Sequence, residues 1–176
     1  MYLKILLLHG WGGSDFPHWQ SWLAGELAKD YGCVNLLKFS NFDEPKFDVW
    51  MSELENTLEN FKPDIVICHS LANTLWFHLC NKKQINEISK LYLVAPPSME
   101  CNVEEIKEFF PVKIPNNLYA KDITLVTSTN DPYMSEDEAK ELKNRLNVRT
   151  KTLLNAGHIN SDSGYGKWEW MLKELI

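Results

Sequence analysis

Basic clusters, patterned cysteines and long hydrophobic runs are all scarce in this 176-residue chain, and each scarcity removes a class of function. The 18 Lys and Arg are outnumbered by 24 Asp and Glu, giving a formal net charge of −6, and the longest basic run is Lys82-Lys83. A nucleic-acid partner needs a basic face for its phosphates, so none is expected. The four cysteines, Cys33, Cys68, Cys80 and Cys101, have no metal-type spacing, and three lie in or beside apolar stretches. They read as reduced, mostly buried thiols of a cytoplasmic protein. The five histidines show no zinc spacing either, so neither a metal nor another cofactor is expected. The apolar stretch after Lys4 is too short for a signal peptide, and nothing approaches a membrane span. What remains is the composition of an ordinary globular protein, 44% hydrophobic and 24% charged, expected to form one domain over 1–176. A chain of that size buries roughly two-thirds or more of its unfolded surface.

Strand and helix patterns alternate along the whole chain. Strands are expected at about 3–9, 33–39, 64–69, 90–95, 122–128 and 148–154, and helices near 17–30, 47–61, 71–82, 135–146 and 165–176. Phe47, Trp50, Met51, Leu54, Leu58 and Phe61 share one helical face, as do Trp168, Met171, Leu172 and Leu175, and both stripes read as core. Such alternation predicts an α/β fold of three layers, a doubly wound sheet of six parallel strands with helices on both faces. The stretch 96–121 is irregular, with four prolines around a short acidic helix from Val103 to Phe109. It leaves room for a loop and one helix, not for a full lid, and a packed surface connection is its simplest reading.

Candidate chemistry starts at Ser70. The apolar run Ile65-Val66-Ile67-Cys68 leads into His69-Ser70-Leu71-Ala72 and then a helical stretch, the strand-serine-helix junction of a nucleophile elbow. The elbow requires small residues two before and two after the serine, a demand met by Cys68 and Ala72. A serine at this place can also be a simple helix cap. Two downstream residues favour the catalytic reading. Asp131 lies just past the strand 122–128, and His158 lies in a loop past the strand 148–154. Singly, Asp131 could be a turn residue and His158 a surface loop residue. Together they complete the chain order serine, acid, histidine at strand ends. A serine hydroxyl needs a base to remove its proton, an imidazole titrates near neutrality, and a carboxylate orients the imidazole.

The first strand runs into His9-Gly10-Trp11-Gly12-Gly13. In an elbow-bearing fold, one oxyanion donor is the backbone N–H after the nucleophile and another comes from an early strand-end loop. Those are Leu71 and, by position, Trp11. His9, Gly10, Gly12 and His69 are expected to support the loop or pocket, and His18 to border it. A dinucleotide loop is the rival reading, but the third spaced glycine is missing.

The segments His9-Gly10-Trp11-Gly12-Gly13-Ser14 and His18-Trp19-Gln20-Ser21-Trp22-Leu23 resemble the opening of small serine hydrolases related to retinoblastoma-binding protein 9. The elbow, Asn130-Asp131-Pro132 and Ala156-Gly157-His158 carry the likeness to the far end of the chain. Cys68 and Asn73 depart from the family's glycine-rich elbow. The resemblance implies a compact α/β-hydrolase fold without a full lid, strand order 2-1-3-4-5-6, and Ser70, Asp131 and His158 as triad. It does not extend to a retinoblastoma-type partner, because no Leu-x-Cys-x-Glu motif is present.

The expected function is hydrolysis of a small ester, thioester or amide through an acyl-enzyme on Ser70. The expected partner is a small-molecule or short acyl substrate, with no nucleic acid and no membrane. The competing reading is an interaction protein that keeps the fold without turnover. The site should be a shallow open cleft edged by Trp11, the 96–121 connection and the His158 loop.

Overall fold

A computed structural model describes residues 3–30 and 32–176 of the chain. Six strands form one parallel sheet: β1 (Leu3–Leu8), β2 (Gly32–Leu37), β3 (Ile65–His69), β4 (Ile88–Val94), β5 (Ala120–Ser128) and β6 (Arg149–Leu153). Their order across the sheet is β2-β1-β3-β4-β5-β6, as expected. All five residues of β3 are buried, the mark of a strand covered on both faces. Alternation then divides the apolar residues between two cores.

On one face, Leu6, Leu8, Val66 and Cys68 pack with side chains of α2 (Phe47–Phe61), α3 (Leu71–Lys82) and α4 (Glu136–Leu146). Trp50, Leu54, Trp76 and Phe77 are fully buried there. On the other face, Ile5, Leu7, Ile65 and Ile67 meet α1 (Trp19–Asp30) and α5 (Glu169–Lys173). Trp19, Leu23 and Leu27 lie four residues apart and present one buried stripe, so Trp19 belongs to the core as its phase requires.

Two elements differ from the sequence expectation. The final helix is only five residues long, because residues 165–168 continue the non-helical turn that follows a one-turn 3-10 helix, Ser161–Ser163, and Gly164. That stretch is docked on α1: the backbone N–H of Trp19 donates to Tyr165 O at 3.0 Å, and its indole N–H donates to Ile159 O at 2.8 Å. The acidic segment is likewise a 3-10 helix, Glu104–Phe109. Pro111 disfavours helical geometry at the residue before it, and Phe110 is extended at φ −130° and ψ 154°. Ile106 and Phe109 are buried, so this connection packs on the body of the protein.

The chain leaves β1 toward β2 on one side and continues from β3 toward β4 on the other. The carboxyl ends of β1 and β3 therefore flank the crevice where an open α/β sheet reverses its strand order, the usual place for a ligand.

Candidate active site

Ser70 occupies the single position between β3 and α3, with φ 53° and ψ −123°. A serine rarely adopts positive φ, and it persists here only because its surroundings fix it. Its backbone N–H donates to Val94 O at 3.0 Å. Asn73, fully buried one turn into α3, donates through Nδ2 to Ser70 O at 2.8 Å and to Val94 O at 2.9 Å. The asparagine thus ties the elbow to the end of β4. Cys68 and Ala72 are both fully buried, as close strand-helix passage demands. Burial pushes the Cys68 thiol well above its ordinary range, which keeps it from acting as a thiolate.

The loop after β1 crosses directly beside the serine. A Cβ added to Gly10 would stand 2.6 Å from Ser70 Cβ and 3.0 Å from Ser70 Oγ, so only glycine fits. His9 holds this loop. The Phe39 N–H donates to His9 Nε2 at 2.9 Å, so the proton lies on Nδ1, which donates to Gly10 O at 2.7 Å. Burial lowers the His9 pKa and keeps the ring neutral. Trp11 is fixed by its indole N–H, which donates to Asp43 O at 2.9 Å. Among the described residues, the backbone N–H groups of Trp11 and Leu71 have no acceptor.

His158 and Asp131 converge on Ser70 from the ends of β6 and β5. His158 Nε2 lies 2.7 Å from Ser70 Oγ. His158 Nδ1 lies 2.9 and 3.0 Å from the two Asp131 oxygens, and that carboxylate side chain is only 2% exposed. The Tyr133 N–H also donates to Asp131 Oδ1, at 2.9 Å, which fixes the acid within its turn.

A polar network that sequence reasoning missed carries the histidine loop. Ser128 Oγ accepts from the Ala156 N–H, and Asn130 Oδ1 accepts from the Gly157 N–H. Ser163 Oγ accepts from the His158 N–H at 3.1 Å and itself donates to Asn160 Oδ1 at 2.8 Å. Gly157 has φ +55°, and a Cβ there would meet Ser163 Oγ at 2.4 Å. Polar residues in loops carry no sequence signal of such pairing. Asn73 did carry one, being a polar residue inside an apolar helical run.

His69 Nε2–H donates to His158 O at 3.1 Å, and burial holds the His69 pKa well below its ordinary value. It is a neutral, packed neighbour of the serine. His18 is 5% exposed and accepts the Gln20 N–H at Nδ1, so its proton lies on Nε2. Burial, aided by the nearby His9 and His158, lowers its pKa to about 4. His78 instead contacts Phe109 O, away from the serine.

Ser70 and His158 open on a cavity of about 830 Å³. Trp11, Pro97, Ile106 and the His158 loop border it, as the sequence suggested. His18 lines it too, as expected, and segments not foreseen add to its wall: Asp15 to Pro17, Asp43-Glu44, and Asn160 to Asp162. Among the described residues no helix is long and apolar enough to cross a membrane.

Comparison with known proteins agrees with this architecture. The model of a family described as serine hydrolase matches residues 5–176. The YdeN protein of Bacillus subtilis, whose name proposes a hydrolase, is 24% identical over 175 residues, covering 94% of this chain and 90% of its own. Its crystal structure superimposes with a TM-score of 0.86 at 18% identity, covering 98% of this chain and 96% of that one. A YdeN-like protein from Pectobacterium atrosepticum gives a TM-score of 0.75 at 25% identity, with 99% and 89% covered. An esterase of Pyrococcus furiosus shares the fold at a TM-score of 0.67 and 16% identity, with 98% and 78% covered.

Proposed function

The chain belongs to the serine hydrolase family, and from that premise we propose that it hydrolyses small esters, thioesters or amides through an acyl-enzyme on Ser70. The observation that carries the proposal is the unbroken contact series from Ser70 Oγ through the His158 ring to Asp131. The likeness of the opening segments to relatives of retinoblastoma-binding protein 9 supports a small member without a full lid.

In the proposed reaction, Ser70 Oγ attacks the substrate carbonyl carbon while its proton passes to His158 Nε2. The carbonyl oxygen becomes an oxyanion, met by the free N–H groups of Trp11 and Leu71. The bond to the leaving group breaks, and His158 delivers its proton to that group. Asp131 keeps the ring in the tautomer with Nε2 facing the serine and stabilises the imidazolium between the two transfers. Water then attacks the acyl carbon, losing a proton to His158, and the acid departs as Ser70 regains its hydrogen. The buried neutral histidines 9, 18 and 69 take no part in this transfer.

Assay against a panel of acyl esters, thioesters and aminoacyl amides tests the proposal. At least one class should be turned over, and Ser70→Ala should lower that rate by several orders of magnitude while the thermal melt stays intact. A Ser70→Ala protein that retains the wild-type rate would refute it.

A further inference from the structure

We propose that the substrate of this site carries a positive charge away from its scissile bond, a substrate class that rests on the Ser70 reading above. Among the described residues, five carboxylates line the cavity, Asp15, Asp43, Glu44, Glu105 and Asp162, and no Lys or Arg does. Neighbouring acids outside the cavity are neutralised: Glu104 pairs with Lys107 and Glu108 with Lys46. Of the lining acids, Asp15 alone is paired, with Lys38 at 2.9 Å. Asp43, Glu44, Glu105 and Asp162 have no ion pair among the described residues.

These four come from three separate segments: the turn after β2, the 3-10 helix of the 96–121 connection, and the loop after β6. They therefore reach the cavity from separate parts of the chain. All are exposed, so each acts through the field at the entrance and not as a buried partner. Exposed charges act over about a Debye length, roughly 8–10 Å at moderate salt, which is the scale of a cavity this size. A cleft of one sign concentrates ligands of the other and repels ligands of its own. Anionic acyl groups are thereby disfavoured.

A second feature points to a polar occupant. His18 is nearly fully buried on the wall of the same cavity, and its Nε2–H has no partner among the described residues. Its low pKa keeps it neutral, so it leaves the acidic field uncancelled. Trp11, Phe16 and Tyr133 add aromatic rings to the lining, surfaces that accept an alkylammonium group.

Matched esters test the proposal on the intact protein. On the acyl side, p-nitrophenyl 4-(trimethylammonio)butanoate is compared with its isostere p-nitrophenyl 5,5-dimethylhexanoate and with mono-p-nitrophenyl glutarate. On the leaving-group side, acetylcholine is compared with 3,3-dimethylbutyl acetate. The cationic member of at least one pair should show kcat/KM about tenfold above its neutral isostere at low salt, and glutarate should be the poorest acyl donor. That preference should shrink severalfold at 0.5 M NaCl and again in the double variant Glu44→Gln/Glu105→Gln. Equal kcat/KM across both pairs, or a preference unmoved by salt and by the double variant, would overturn the proposal. Loss of the serine mechanism reads differently: neutral esters would then be hydrolysed equally by wild type and Ser70→Ala.

Discussion

At the residue scale, the candidate site depends on places where no atom can be added. Gly10 has no room for a methyl group, since the new Cβ would press on Ser70 Cβ at 2.6 Å and on the His69 carbonyl oxygen at 3.2 Å. Gly10→Ala should therefore displace the serine or the donor loop. A misplacement on the order of 1 Å costs about 10²-fold in rate, so kcat/KM for a neutral ester should fall by at least that much. The thermal midpoint should move far less than the rate, and wild-type kinetics in this variant would show that the loop does not border the reacting atoms. Ser70, Asp131 and His158 were legible as candidates because each stands at the end of an apolar strand in the required order. Ser163 was not assigned, because its work depends on loop conformation. Asn73, though conspicuous as a polar residue in an apolar helix, was not assigned because its link to Val94 spans distant sequence. Asn73 instead looked like a departure from a glycine-rich elbow. The structure gives it a bond to each of two carbonyls, so the polar residue stabilises the junction it seemed to weaken.

At the element scale, the strands were legible because period-two burial and apolar runs survive any detail of packing. The helices facing the sheet were legible from their own helical spacing, with Trp50, Met51 and Leu54 buried from the α2 stripe. The final segment was not. Its apolar spacing suited a helix from 165, yet the Gly164 turn and the docking of Tyr165 and Ile159 on Trp19 claim that stretch for a loop. The 96–121 connection matters for substrate choice. It buries Ile106 and Phe109 in the body and lends only Pro97, Glu105 and Ile106 to the cavity. With no inserted lid to enclose a hydrocarbon tail, p-nitrophenyl acetate and butyrate should be better substrates by kcat/KM than the decanoate. A steady rise toward the long-chain ester would require an apolar tunnel that this connection does not build.

At the scale of the whole molecule, buried histidines make stability depend on pH. In His18 the folded pKa is about 4, below its ordinary 6.5, because burial penalises the charged ring. His9 and His69 are lowered for the same first reason. A group whose pKa is depressed by folding binds more protons when unfolded, so stability is fully present above the unfolded value and is lost as pH falls toward the folded one. His18 alone corresponds to about 3 kcal/mol across that window. Urea unfolding at pH 7.5, 5.5 and 4.5 should give a progressively lower free energy, with most of the loss below pH 6.5. A flat profile would mean that these rings are not neutral and buried together. The same pH range sets the conditions for enzymology, which belongs near neutrality where the fold is intact.

The central claim is that Ser70 is a nucleophile activated by His158. Its most direct test is intact-protein mass spectrometry after treatment with a fluorophosphonate at neutral pH, followed by peptide mapping. One adduct should form per chain, on Ser70, and it should be lost in Ser70→Ala and slowed by orders of magnitude in His158→Ala. An unmodified wild-type protein, or an adduct on another residue that persists in Ser70→Ala, would contradict the account.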